Sequence, residues 1–118
     1  MDAFRAEGPV GPLDALEEAD LAAAPPPLLD RRSLPAYVRR NYLGETLAAE
    51  EAGALAAADR LVEQLIRADL VVLAFPLYNF SVPAPVKAWM DAVMQKGRTW
   101  AARDGRYAGL LHGRKALS

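Results

Sequence analysis

Cysteine is absent from the 118 residues, and histidine occurs once, at His112. The first absence excludes a disulfide framework, a thiolate metal site and a cysteine nucleophile. The second excludes a multi-histidine metal centre and weakens any Ser–His–Asp arrangement, so no metal and no catalytic triad are expected. An excess of one charge is also missing. Fourteen Lys and Arg against 15 Asp and Glu give a net charge of −1, which provides no electrostatic footprint for nucleic acid. Long apolar runs are lacking too. The longest, Leu70 to Leu77, is far short of the roughly 20 residues that a helix needs to cross a bilayer. The first 14 residues contain no apolar core of the signal-peptide kind. The expectation is a cytoplasmic protein without membrane or nucleic-acid partners.

What is present, 53% hydrophobic and 25% charged residues, fits one small globular domain over 1–118. Its readable core is 46–118. Before that, PVGPLDALEEADL suggests a short strand and turn, or a short helix. Pro25, Pro26 and Pro27 demand a loop. Residues 31–45 read as a surface loop or short helical turn, with Arg31, Arg32, Arg39 and Arg40 as a solvated basic cluster. From Thr46 to Ala68 the chain is rich in Ala, Leu and Glu, which predicts one helix capped by Thr46 and weakened by Gly53. Leu55, Ala58, Val62, Leu65 and Ile66 share its apolar face. Leu70 to Phe75 runs without alternation, which predicts a strand buried on both faces, as in a parallel sheet. Pro85 suits the first turn of a second helix. Val86, Trp89, Met90, Val93 and Met94 form that helix's apolar stripe, and Gly97 is its expected stop. Lys87 reads as solvated, and Asp91 as a cap or the partner of a neighbour. Residues 98–109 read as a loop, His112 as a surface residue, and HGRKALS as the start of another buried strand. This order is a piece of a doubly wound α/β fold.

Between the first strand and the second helix lies FPLYNFSVPAPVKAW, residues 75–89. A plain connector is polar and contains Gly. This one carries Leu77, Tyr78, Asn79 and Phe80 at the carboxyl end of a strand, where open α/β sheets bind ligands. Two rings, an apolar wall and an amide suit a flat ring system that is stacked and polarised by fixed hydrogen bonds. The plainer reading is a strand–helix corner whose aromatics fill the core.

The stretch ADLVVLAFPLYNFSVPAPVKAWMDAVMQKGRTW resembles the bacterial FMN-dependent NADH:quinone oxidoreductases, also called FMN-dependent azoreductases. The family pattern P-[ML]-Y-N-F is matched by Pro76–Phe80, and LK-x-[WYF]-[ILMF]-D by Val86–Asp91. Gly97–Trp100 matches G-x-T-[FW]. GLLHGRKAL and DLAAAPPPLLD extend the likeness from about residue 10 to the end. The resemblance implies a flavodoxin-like, three-layer α/β/α fold with a doubly wound parallel sheet. It implies FMN bound along Leu77, Tyr78, Asn79 and Phe80, with Phe80 and Trp100 facing the substrate. It implies hydride transfer from NADH or NADPH through FMN to a quinone or azo compound, no obligatory acid or base side chain, and a homodimer. The family's S-x-S phosphate loop has no counterpart in residues 1–14, its S-R-G-G loop has none after KALS, and its Tyr after the Thr-Phe segment is replaced by Ala101-Ala102. The expectation is therefore an incomplete domain. The alternative is a non-catalytic remnant or interaction module that no longer binds FMN. A third reading, an NADPH-dependent FMN reductase or chromate-reductase relative, is disfavoured by Leu77 where those proteins carry an acidic residue.

Overall fold

The computed structural model describes residues 15–118. Of the segment expected to form a short strand or helix, residues 9–14 lie outside the described part, and 15–20 carry no regular structure. After the proline loop, Asp30 leads into the first helix. Its Oδ1 accepts the backbone N–H groups of Ser33 (2.8 Å) and Arg32 (2.9 Å) and the Ser33 hydroxyl (3.0 Å). These hydrogen bonds, led by that of the Ser33 backbone, hold the Asp30 carboxyl below the usual carboxylate range. Helix α1 (Ser33–Tyr37) follows and passes directly into a wider π-helical segment, Val38–Tyr42. Residues 31–45 are thus more helical than the sequence suggested.

The single helix expected from Thr46 to Ala68 is two helices, α2 (Ala49–Gly53) and α3 (Ala56–Arg67). Ala54 and Leu55 donate to Glu51 and Ala52, three residues back. That tight turn closes α2 at Gly53, the weakest helix former in the segment. The break aims Leu55 into the core, where it is 2% exposed. Its carbonyl then accepts the Asp59 N–H in the first turn of α3. Ala58 and Val62 continue the buried face, while Leu65 and Ile66 are half-buried.

Strand β1 (Leu70–Val72) follows. Helix α4 (Ala84–Val93) begins with Pro85 in its first turn, as expected. The buried residues of α4 are Val86, Ala88, Ala92 and Val93. The expected stripe is therefore partly rotated away, because Trp89 and Met90 are half-buried and Met94 is exposed. The small residues Ala58, Ala88 and Ala92 favour close approach of α3 and α4. Gly97 does not stop α4, which ends at Val93. With φ 85° it instead shapes the turn beyond, donating to the Trp100 carbonyl at 2.7 Å.

Residues 98–109 are not a loop. They contain an antiparallel hairpin, β2 (Trp100–Arg103) and β3 (Arg106–Gly109), with Arg103 opposite Arg106 and Trp100 opposite Gly109. Asp104 and Gly105 both have positive φ, 51° and 72°, as a two-residue type I′ turn requires. The last strand, β4 (Lys115–Leu117), pairs parallel with β1, Leu70 lying opposite Lys115 and Val72 opposite Leu117. The two parallel strands and the layered helices give the α/β order read from the sequence. The strand differs in burial: β1 is half-buried along its length. Among the described residues it has one neighbouring strand, and that neighbour is itself exposed.

The core is thus the α3–α4 contact. Leu55→Ala should lower the free energy of unfolding by about 2–5 kcal/mol in urea titrations, whereas the exposed Met94→Ala should change it by less than about 0.5 kcal/mol. Equal losses at the two positions would contradict this placement of the core.

Candidate functional site

Residues 76–83 leave β1 as an irregular chain that folds back on itself once. The Tyr78 N–H donates to the Ser81 carbonyl at 2.9 Å, and the Ser81 N–H returns a bond to Tyr78 at 3.1 Å. Between them Asn79 and Phe80 have φ of 53° and 63°. Two reciprocal backbone bonds around two positive-φ residues make a type I′ turn. Asn tolerates that conformation, but a bulky ring there is a true outlier. Phe80 gains no burial in return, because it is 100% exposed. Leu77 and Tyr78 are also exposed, at 70% and 60%. Among the described residues the backbone N–H groups of Asn79 and Phe80 have no partner. The four residues named from the sequence therefore sit together, and they do not fill the core as the plainer reading required. The turn is held by Pro83, which is buried and whose carbonyl accepts the Val86 and Lys87 N–H groups at the start of α4. Lys87 pairs with Asp91 one turn on, as expected for a solvated pair.

Trp100 lies elsewhere in the contact network. Its half-buried ring meets Tyr107 edge-on at 5.5 Å and Tyr42 at 6.4 Å, and Tyr42 in turn meets Tyr37 at 5.8 Å. The Lys96 ammonium sits 4.4 Å over the Tyr42 ring, a cation–π contact. The Tyr37 hydroxyl accepts the Lys96 N–H at 3.0 Å, and burial pushes its pKa up. No ring of residues 77–80 belongs to this run of aromatics.

The strongest polar cluster was not singled out from the sequence. Asp59 on α3 accepts two bonds from Arg40, at 2.7 and 2.9 Å, and one from the Gln95 amide at 3.2 Å. Arg40 also donates to Gln95 at 3.2 Å, and the Arg98 guanidinium lies 3.9 Å from Asp59. Burial pushes the Asp59 carboxyl up, but the Arg40 and Gln95 hydrogen bonds and the two positive charges outweigh it and leave it below the usual range. Arg39 pairs with Glu45 at 3.0 Å and with Glu51, and Arg32 approaches Glu50 at 3.8 Å. The basic cluster is therefore largely ion-paired rather than simply solvated. Apart from Glu45, six residues from Arg39, the partners lie 12 to 55 residues away, beyond the reach of any local pattern. His112 is exposed, as expected. Among the described residues no group of His, Cys, Asp and Glu is placed to hold a metal ion. No helix among them is long and apolar enough to cross a membrane. A shallow depression bordered by Pro27, Tyr37, Leu55 and Gln95 includes none of residues 76–83.

The family described as having a flavodoxin-like fold matches residues 1–118. An FMN-dependent NADH:quinone oxidoreductase of Pseudomonas putida is 37% identical over 106 residues, which cover 90% of this chain and 52% of that protein. An azoreductase structure from Bacillus anthracis superposes with a TM-score of 0.74 at 30% identity, covering 85% of this chain and 48% of the other. An FMN-dependent NADH-azoreductase from the same species, solved with FMN, gives a TM-score of 0.72 at 27% identity, covering 83% and 46%. The chain thus spans about half the length of the relatives it matches.

The Asp59 cluster carries its own pH dependence. The folded carboxyl titrates below its ordinary 3.8, so its stabilisation is present above that value and is lost as the pH falls through the lower folded pKa. Asp59→Asn should cost about 1–3 kcal/mol at neutral pH and flatten the acid limb of the stability curve below about pH 4, read by urea titrations from pH 2 to 7. An unchanged acid limb would contradict this role for Asp59.

Proposed function

This chain belongs to the flavodoxin-like family, and from that membership we propose that it is part of an FMN-dependent NADH:quinone oxidoreductase or azoreductase. The observation that carries the reading is Phe80, a ring held fully exposed at φ 63°. Strain of this kind persists where a site uses it. Bound at this loop, FMN would supply a two-electron carrier that is reduced by NADH or NADPH and reoxidised by a quinone or azo compound.

The residues present fit one side of such a ring. Leu77 and Tyr78 offer exposed apolar and aromatic surface, and the free N–H groups of Asn79 and Phe80 can hydrogen-bond to carbonyl or nitrogen atoms at its edge. Phe80 is the proposed wall toward the acceptor. Trp100, whose ring is braced by Tyr42 and Tyr107, is the proposed second acceptor contact. No side chain here has to act as an acid or base. A cytoplasmic homodimer is the assembly we propose for the whole protein.

The reading is tested by titrating the 118-residue chain with FMN while following flavin fluorescence and the visible spectrum. Saturable binding with a shifted spectrum, bleached by NADH without oxygen, is the expected result. A chain folded by circular dichroism that takes up no FMN would instead be the remnant described above. Phe80→Gly provides a second check. It should raise stability by about 1 kcal/mol, since relief of the left-handed penalty exceeds the entropy cost of glycine, and it should weaken FMN binding. A loss of stability would show that the Phe80 ring is packed after all.

A further inference from the structure

The β2–β3 hairpin places Trp100 among three tyrosines. Tyr107 lies two residues before Gly109, the partner of Trp100 across the strands, a diagonal position within reach of a large ring. The Trp100 and Tyr107 rings meet at 5.5 Å, Tyr42 meets Trp100 at 6.4 Å, and Tyr37 lies behind Tyr42 at 5.8 Å. Trp89, the other tryptophan, has no such contact among the described residues. The three tyrosines differ in how readily each can be oxidised. At neutral pH a tyrosine gives up an electron only if its phenolic proton leaves too, and its ring must tolerate the positive charge that develops meanwhile. Tyr107 is 82% exposed, so water can take its proton. Tyr42 carries the Lys96 ammonium 4.4 Å over its ring, and that positive charge opposes oxidation there. Tyr37 is half-buried, its hydroxyl oxygen already accepts the Lys96 N–H, and burial makes its proton harder to lose.

We propose that Trp100 and Tyr107 form an exit for oxidising equivalents, with Lys96 closing the alternative branch through Tyr42. A strongly oxidising small radical takes one electron from the Trp100 indole and is reduced to its anion. Tyr107 returns one electron to the indole and releases its phenolic proton to water. Trp100 is thereby restored, and a neutral tyrosyl radical remains on an exposed ring. A small hydrogen-atom donor of the ascorbate class then restores Tyr107. The net reaction is one-electron oxidation of the donor by the radical, with one proton released to water. The oxidising equivalent leaves outward along the hairpin rather than inward along Tyr42 and Tyr37. This activity goes beyond the flavin reading and does not rest on it. Where Trp100 serves as the acceptor contact, the exit keeps that ring intact.

The test uses the 118-residue chain without flavin, so its outcome is separate from that of the FMN titration. Azide radicals, which oxidise tryptophan in preference to tyrosine, are generated by pulse radiolysis in neutral buffer free of oxygen. The visible bands of the indolyl and tyrosyl radicals are followed in time. Trp89→Phe makes Trp100 the sole tryptophan, and circular dichroism checks the fold of each variant. In that background the indolyl band should decay as the tyrosyl band grows, at a rate independent of protein concentration. Adding Tyr107→Phe keeps the ring contact but removes the phenol, and the tyrosyl growth should be lost. Adding Tyr42→Phe instead should leave it in place. Lys96→Met beside Tyr107→Phe should bring part of it back through Tyr42. Tyrosyl growth that survives Tyr107→Phe, growth that disappears with Tyr42→Phe, no return with Lys96→Met, or no growth at all in the Trp89→Phe chain would each overturn the proposal.

Discussion

Asp59 is a carboxylate held partly away from water, and such a group is stable only when paired. Its partners come from two other parts of the chain: Arg40 from the π-helical segment, and Gln95 and Arg98 from the turn after α4. Removing any partner leaves the others with charge or amide groups facing an incomplete set. The same turn is tied from below. The Gln95 N–H donates to the Thr99 hydroxyl at 2.9 Å, and that hydroxyl donates to the Val93 carbonyl at 2.7 Å. The Asn41 amide reaches the Lys96 carbonyl at 3.0 Å. This small polar node fixes how the N-terminal helical segments meet α3 and α4.

The node also places the two candidate functional surfaces. The hairpin springs from it, because β2 begins at Trp100 immediately after Thr99. Helix α4 runs the other way, from the buried Pro83 beside the 76–83 loop to the node. Its ten residues make a strut of about 15 Å. The strained Asn79–Phe80 turn therefore stands at the far end of a helix whose near end is clamped. Its conformation is closed locally by two backbone bonds, which leaves the side chains at 77–80 exposed to meet a partner.

The elements that were legible in the sequence are those whose signal is local. Pro85 marked α4, the run from Leu70 marked β1, and HGRKALS marked β4. The aromatic loop was recognisable because four adjacent residues carry its chemistry. The hairpin was overlooked although Asp104-Gly105 is a strong turn signal. Its strands are four residues each, with one favourable ring apiece, Trp100 and Tyr107, among Ala and Gly, which are depleted in strands, so the turn stood without recognisable strands. The positive φ of Phe80 has no sequence signal, since only glycine announces that conformation. The Asp59 node and the Arg39–Glu51 pair depend on residues distant in the chain. The stripe of α4 was rotated because the alanines Ala88 and Ala92, not the larger Trp89 and Met94, face the neighbouring helix.

The pairing of β1 with β4 has a consequence for synthesis on the ribosome. Val72 ends β1, and its partner strand begins only at Lys115, 43 positions later. At roughly 5–20 residues per second, the hydrogen-bonding edge of β1 waits about two to nine seconds for β4. The α3–α4 contact is complete by Val93, well before that. The nascent chain thus passes through an interval with its helices docked and a Leu-Val-Val edge uncovered, when contact with a holdase or with another nascent chain is most favoured.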